Sequence, residues 1–523
     1  MSATLLAPAP LAAPRHATGW LKWPVAAALG LVLLYLVFNI YAAGQVLWAV
    51  GLLALVSLGF YVYLSNVAFA YRYLFPGLAG MAVFVAFPML YTAQIGFTNY
   101  SSTHLLSFER ATQYLLDQST PDESRLMSYS LHAQGGDYRL VLNPAGEQAG
   151  TQRYATEPLG LRLPPLGKTA LQPLAGDAAA LGPALPLAQV LKHRDVLMQL
   201  ELALPDNTTL KYVGVREFAP LKPVWKANAD GSITSVEDGR SYRPNHGSGF
   251  YENAAGERLQ PGFKVGVGLA NYARMVTDAD FRSPFLAIFL WTVAFSALTV
   301  LFTLVIGMSL AVLLNWEALR FKAVYRTLLF LPYAVPSFIS ILVFKGLFNQ
   351  NFGEINAILE ALFGVRPAWF ADPTLAKAMI LIVNTWLGYP YIMVLCSGLL
   401  KAVPADLYEA SAIAGASPWV NFTRITAPLI IKPLTPLLIS VFAFNFNNLT
   451  VITLLTKGRP DFLNTKVPAG TTDILVSYTY RIAFQDSGQN FGLAAAISTL
   501  IFFMVAALSL ANLRLARVNA APR

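Results

Sequence analysis

The sequence predicts an α-helical polytopic membrane protein of about eight transmembrane helices, with a β-rich extracytoplasmic domain inserted between the third and the fourth. Three observations carry that prediction. The 523 residues are 55% hydrophobic and only 12% charged, with a mean hydropathy of +0.51, too apolar for a water-soluble chain of this length. Uncharged runs near or above the ~20 residues that cross a hydrocarbon core recur towards both ends of the chain. One long hydrophilic segment, residues 100–283, separates the two groups of runs and carries strand periodicity.

Taken in order, residues 1–22 form an Ala/Pro-rich tail, and residues 23–99 hold the first three runs, at 23–41, 46–65 and 75–98. Ala42, Ala43 and Gly44 fit a signal-peptidase site, but a second run follows at once, so an uncleaved anchor is expected. Five further runs, at 285–315, 327–344, 379–400, 434–455 and 491–511, fill residues 284–515, and a short tail closes the chain at 516–523. Arg72, Arg320, Lys322, Arg326, Lys401, Arg424, Lys432, Arg514 and Arg517 all fall on the side shared with the N-terminus. The opposite short loops balance Arg366, Lys457, Arg459, Lys466 and Arg481 against Glu354, Glu360, Asp372, Asp461, Asp473 and Asp486. The excess of Lys and Arg therefore places both termini and the loop 401–436 in the cytoplasm, and residues 100–283 outside. The net charge of +9 sits at run edges and not in a patch, which reads as membrane topology and argues against nucleic-acid binding. The partner this surface implies is a lipid bilayer.

Within the outer segment, Val196–Leu204 alternates with Met198, Leu200, Leu202 and Leu204 on one face, which predicts a strand. Asp230-Gly231, between Val224–Trp225 and Ile233, predicts a hairpin, and Gly135-Gly136 before Tyr138–Leu142 predicts another. Some helix is expected near Thr103–Leu116. Cys396 is the single cysteine, so no intrachain disulfide supports this domain and its own core must hold it.

No phosphate-binding loop and no metal-ligand spacing occurs, so no catalytic residue, cofactor or metal site is expected in this chain. The interiors of the runs from 285 onward carry no Asp, Glu, Lys, Arg or His. Proton coupling needs a titratable group at membrane depth, so the driving energy is expected from another subunit. Polar groups inside the runs fall in two clusters. The first is Asn384, Trp386, Gly388, Tyr389, Pro390 and Tyr391, where Gly388 and Pro390 predict an interrupted helix. The second is Ser440–Asn448, where helical spacing puts Val441, Phe444, Asn445 and Asn448 on one face. Amides beside aromatic rings, with no charge, suit a neutral polyhydroxylated ligand, and equally suit hydrogen bonds between helices. The residues leave both readings open.

Between two apolar runs lies Asp406–Pro436. Asp406, with Glu409 three residues on, predicts a capping box and a short helix ending at Gly415, and Ser417 before Pro418 predicts the start of a second helix. The short helix carries Leu407, Tyr408, Ala410 and Ile413 with no place in the loop to bury them, as expected of an element that docks on a partner. Glu409, Ala410, Ser411, then Gly415 and Ile425-Thr426-Ala427-Pro428 resemble the EAA loop of membrane subunits of binding-protein-dependent ABC importers, with Ser411 where that family has Ala and Ala427 where it has Leu. The resemblance implies that Glu409, Ala410, Ser411 and Gly415 belong to a coupling helix seated on a cytoplasmic ATPase subunit.

The order of runs and the motifs NTWLGYPY, DLYEASA, FAFNFNN, PAGTTDILVSYTYRIAF and FGLAAAIST are similar to the larger (MalF-type) membrane subunits of maltose/maltodextrin importers, most strongly from Gly268 onward. That resemblance implies a type I ABC importer permease fold, with an immunoglobulin-like P2 domain at 100–283 that reaches up to the sugar-loaded binding protein. It implies sugar contacts from Tyr333 and Ser337, from Trp386, Leu387, Gly388 and Tyr391, and from Phe444, Asn445 and Asn448. Where the family has a serine one turn before the asparagines, this chain has Val441 with Ser440 beside it. The implied partners are a second, MalG-like permease subunit, two MalK-like ATPase subunits that bind ATP and magnesium, a periplasmic maltose-binding protein, and maltose or maltodextrin as cargo. Three other readings stay open on the residues: an importer of another neutral sugar such as trehalose, a self-sufficient secondary transporter, and a membrane sensor or scaffold.

Overall fold

A computed structural model describes the chain except for residues 1–21, 66–68, 145–151, 161–166, 175–180, 464, 466–467, 486–487 and 521–523. The expected N-terminal tail and the topology charges Lys466 and Asp486 lie outside the described residues. The chain divides into two units, Met1–Gln94 and Ile95–Arg523.

The first unit is made of apolar helices. Lys22–Ala42 and Val46–Leu64 are joined by a turn in which Gly44 takes a left-handed φ of 77°. The Ala42–Gly44 stretch is therefore a tight connection between two membrane-length helices. A third helical run, Phe75–Ile95, follows and widens to a π turn at Ala82–Ala86. Trp48 ties the second run to the third, donating to Gln94 Oε1 at 2.9 Å and meeting the Phe87 ring edge-on at 4.8 Å. Arg72 turns back to the chain, donating to the carbonyls of Val62 and Ser65 at 3.2 and 3.0 Å.

The second unit opens with the β-rich domain. Ser107 caps Phe108–Leu116, accepting from the Arg110 N–H, and the helix lays Ala111 and Leu115 into a core with Ile233, Tyr242, Tyr251 and Phe263. Both hairpins form. Met127–Gln134 pairs antiparallel with Asp137–Pro144 across Gly135 and Gly136, which both take positive φ. Trp225–Ala227 pairs with Ile233–Ser235 around Gly231. Among the described residues the first hairpin lies in the middle of a nine-stranded sheet and the second starts a five-stranded antiparallel meander. The predicted strand at Val196–Leu204 is only half a strand. Arg194–Leu197 is a helical turn, Glu201–Ala203 is the strand, and Met198 faces solvent. Leu197 and Leu200 stand three apart as on a helix, and Leu200 and Leu202 stand two apart as on a strand. All three are buried, so one apolar series serves both periods.

The β domain is stitched to the helices at its base. Asn99 accepts from the Val265 N–H at 2.8 Å and donates to the Phe263 carbonyl, while Asn271 donates to the carbonyls of Gly96 and Thr98, both at 2.9 Å. Gly492 N–H donates to the Tyr100 carbonyl.

Seven helices among the described residues are long and apolar enough to span a membrane, and Ser337–Leu347 is a shorter apolar one. The polytopic helical fold with an inserted β domain is as the sequence predicts; two runs are built differently. The run 327–344 divides into Lys322–Leu329, a turn at Leu331–Tyr333 and the 11-residue helix Ser337–Leu347. Pro332 and Pro336 lack the N–H donors a continuous helix would need, and 11 residues rise only about 17 Å against a core of about 30 Å. The run 434–455 belongs to a helix that starts at Pro418 and ends at Phe446, after which Asn448 accepts from the Val451 N–H to begin Leu449–Leu455. Conversely, the helix expected to break at Gly388 and Pro390 is continuous over Pro373–Leu400. The break is unnecessary because Pro390 costs one backbone bond in a helix whose neighbours are packed on both sides. Ala279–Asn315 is the longest helix, and Thr292, Ser296 and Thr303 on it donate to carbonyls four residues back, which satisfies their hydroxyls where water is scarce.

Candidate functional site

The breaks in the two divided runs open a cavity of about 650 Å³, in the size range of small-ligand sites. Four segments supply most of its lining, and Leu449–Leu455 adds Thr450 and Val451. Pro332–Ser337 supplies the irregular stretch between two short helices, where proline removes backbone donors and turns the chain. Pro373–Leu400 supplies Asn384, Leu387, Gly388 and Tyr391; the last helical turns before Asn448 supply Ser440, Val441, Phe444 and Asn445; and Ala279–Asn315 supplies Thr299 and Thr303. Those threonines stand near the middle of that 37-residue helix, well away from either end.

Every residue lining the cavity is uncharged. Four of its polar residues form one network. Asn384 Nδ2 donates to Asn445 Oδ1 at 2.7 Å and to Thr299 Oγ1 at 3.1 Å, and Asn384 Oδ1 accepts from Asn448 Nδ2 at 3.1 Å. Asn445 Nδ2 donates in turn to the Val441 carbonyl at 2.8 Å. These bonds join three helices and fix the amides, while Asn448 keeps a second amide hydrogen for another acceptor. The aromatic share is open to the cavity: Phe444 is 70% exposed, whereas Asn445 is 4% exposed. The arrangement offers hydroxyls and amides to hydrogen-bond a neutral solute and ring faces to cover its apolar side.

Of the nine residues expected to touch sugar, Tyr333, Ser337, Leu387, Gly388, Tyr391, Phe444, Asn445 and Asn448 line this one cavity. Trp386 does not; its ring stands edge-on to Phe344 at 5.0 Å, behind the wall. Val441 and Ser440 both line the cavity, and the Ser440 hydroxyl donates to the Pro436 carbonyl at 3.1 Å. Thr299 and Thr303 escaped the sequence reading because their run looks uniformly apolar around them. A threonine pair four apart on one helical face was the available signal. Gly388 has a packing reason: a Cβ there would lie 2.9 Å from Thr303 Cγ2, so glycine lets the Pro373–Leu400 and Ala279–Asn315 helices approach.

The second expected site lies at the start of the Pro418–Phe446 helix. Ala405–Ile413 is a helix with none of its residues buried, closed by Gly415 at φ 71°. Glu409 and Ala410 are exposed, and Ile413 is 90% exposed. The predicted capping box is absent. Pro404 occupies the N-cap, so Asp406 lies inside the first turn, where its charge favours the helix dipole without a side-chain cap. Ser417 does cap as expected, accepting from the Val420 N–H with Pro418 at the first helical position. Ser411 faces back to Asn421. Among the described residues no group of three or more His, Cys, Asp or Glu could hold a metal ion.

Membrane-length helices around an uncharged polar cavity, with a short exposed helix in a loop of the same unit, define a membrane permease. Residues 303–518 match the family described as "binding-protein-dependent transport system inner membrane component", residues 106–268 match the MalF P2 domain, and residues 20–67 match the MalF N-terminal transmembrane region. The maltose/maltodextrin transport system permease proteins MalF of Escherichia coli K12 and Salmonella typhimurium are each 51% identical over 506 residues, covering 95% of this chain and 97% of theirs. That of Yersinia pestis is 49% identical over 507 residues, 95% of this chain and 94% of its own. Among solved structures, a bacterial alginate ABC transporter is similar with a TM-score of 0.42 at 20% identity, covering 49% of this chain and 85% of that one. The chain belongs to the MalF family of ABC importer permease subunits, and it is a multi-pass inner membrane protein.

Proposed function

We propose that this chain carries maltose and maltodextrins across the inner membrane as the larger permease subunit of an ATP-driven importer. The observation that carries the reading is the uncharged cavity among the helices, in which Asn445, Asn448, Ser337, Tyr333, Tyr391 and Phe444 converge. Neutral sugar needs amide and hydroxyl partners with ring faces, and it needs no titratable group. Trp386 supports the wall through Phe344. ATP and magnesium are held by two ATPase subunits of the MalK type, and the exposed helix carrying Glu409, Ala410 and Ser411, closed by Gly415, takes up their motion. A MalG-like subunit completes the pathway, and a periplasmic maltose-binding protein delivers the sugar to the side bearing the β domain. Both termini lie in the cytoplasm with the basic loop ends. ATP-driven closure of the ATPase pair turns the cavity outward and hydrolysis returns it.

The test is uptake of labelled maltose into vesicles containing this chain with its permease, ATPase and binding-protein partners. Uptake should require internal ATP and vanish in Glu409→Lys with the complex still assembled. Uptake without ATP would overturn the reading. A second cargo, another neutral disaccharide, is favoured by Val441 and Ser440 in the lining; a sugar panel in the same vesicles separates the two.

A further inference from the structure

The exposed helix Ala405–Ile413 buries none of its residues, so whatever moves it must be passed on through side chains. Two of its side chains reach the next helix. Tyr408 Oη and Thr426 Oγ1 are 2.9 Å apart, and the Ser411 hydroxyl donates to Asn421 Oδ1. The pairs run antiparallel: 408 with 426, 411 with 421. Tyr408 and Ser411 are three apart and share one helical face, opposite in role to the exposed Glu409 and Ile413.

Their partners are five apart, which on an α-helix of 3.6 residues per turn would set them about 140° apart. Between them, however, Phe422–Thr426 is a π turn, whose bonds run from residue i to i+5 and so bring residues five apart onto one face. The wide turn aligns Asn421 with Thr426 towards the short helix. Thr426 is buried, and the helix it belongs to continues to Phe446, placing Phe444 and Asn445 in the cavity about 40 Å from Pro418.

We propose that Tyr408–Thr426 and Ser411–Asn421 form a latch that makes the ATPase-facing helix and the Pro418–Phe446 helix move as one body, so that Tyr408, Ser411, Asn421 and Thr426 are positioning residues for coupling. The latch rests on the coupling role proposed above for Ala405–Ile413. Ser411 in this reading faces inward, and the outward surface is left to Glu409, Ala410 and Ile413. Each hydrogen bond is worth about a factor of five in the balance between latched and unlatched loop, and the two together about 25-fold.

The experiment compares the assembled transporter in vesicles with the double variant Tyr408→Phe/Ser411→Ala, reading ATP hydrolysis and maltose uptake in the same sample. The expected result is a hydrolysis rate within about twofold of the parent and uptake per ATP lowered at least about fivefold, with Ser411→Thr, which keeps the hydroxyl, close to the parent. An unchanged ratio, or equal losses in both rates, overturns the latch. Hydrogen exchange of the 405–413 amides in the same complexes, which needs no transport, should rise in the double variant, and unchanged exchange overturns the latch as well. Failure of the parent complex to take up maltose overturns the assigned cargo instead, and leaves the exchange measurement to decide on the latch.

Discussion

Replacing Asn384 by valine tests whether the amide network serves the cargo or only the helices. The substitution leaves an apolar side chain one bond shorter and removes three hydrogen bonds at once, those to Thr299, Asn445 and Asn448. Interhelical hydrogen bonds in membranes are worth about 0.6 kcal/mol each, so the bundle should lose about 2 kcal/mol. Asn445 retains its bond to the Val441 carbonyl, and Asn448 retains the Val451 N–H, so neither side chain is released entirely. Both must nevertheless be ordered again when a ligand binds. At about 1 kcal/mol for each side chain immobilised, the cost is about 2 kcal/mol, or about 30-fold in affinity. The measurement is equilibrium binding of labelled maltose to the purified complex held with a non-hydrolysable ATP analogue, beside its thermal unfolding. A drop in stability with affinity changed less than about threefold would refute the idea that this network presents Asn445 and Asn448 to sugar, and would leave Asn384 as helix glue.

Three further outcomes follow from the geometry. Asp473 is fully buried and accepts from Gly470 N–H at 2.8 Å, Ser477 Oγ at 2.8 Å and Arg481 Nη1 at 2.7 Å, while burial pushes its carboxyl up against the pull of Arg481. Asp473→Asn should cost about 3 kcal/mol, the low end for breaking a buried pair because Arg481 keeps Asp461, and a loss under about 1 kcal/mol in thermal unfolding of the complex would contradict this. Gly388→Ala should destabilise by about 1–3 kcal/mol through the 2.9 Å approach to Thr303 Cγ2, and Thr303→Ser, which deletes that methyl and keeps the hydroxyl, should restore it; absence of rescue would place the strain elsewhere. His104 sits at the base of the β domain between Ser101, Thr103, the Ser248 carbonyl and the Phe250 ring, with Arg258 the charge that acts on it. Burial lowers its basicity, so the unfolded chain binds more protons there and stability is fully present above the ordinary histidine range and lost as pH falls through the lowered value. Hydrogen exchange of residues 99–106 should therefore rise on acidification below about pH 6.5, and His104→Gln should flatten the response.

Much of this fold could be read from the chain because bilayers demand long uncharged runs and because Gly135, Gly136 and Gly231 mark hairpins with few alternatives. What could not be read were features settled between segments. The short stretch around Leu197–Leu202 satisfies helix and strand spacing together, and only the surrounding core decides where one gives way to the other. Asp406 looks like a cap in isolation, yet Pro404 reaches the position first. Eight of the nine expected cavity residues do converge, since proline, glycine and asparagine inside apolar runs are costly in lipid and mark the places where protein replaces it. Trp386 belongs to the same motif but faces the other way, because adjacent positions on a helix point about 100° apart. A motif names neighbours in sequence, and the helix sorts them between wall and interior.

The two runs that hydropathy could not divide both open onto the cavity. A continuous helix spends every backbone donor and acceptor on itself and offers a solute only side chains. At Leu331–Pro336 and at Asn447–Asn448 the helices end within the protein, and the ends need partners. Asn448 caps the start of Leu449–Leu455 with its side-chain amide oxygen and gives an amide hydrogen to Asn384, so the residue that begins the next helix is also the one that ties the polar network to it. A substitution that restored helix continuity there, such as Asn448→Leu, would lengthen the apolar run and remove the cap and the network contact together. Its effect on maltose binding should therefore exceed that of Asn384→Val, which leaves the helix end in place; equal effects would mean that the break contributes nothing beyond the amide it exposes.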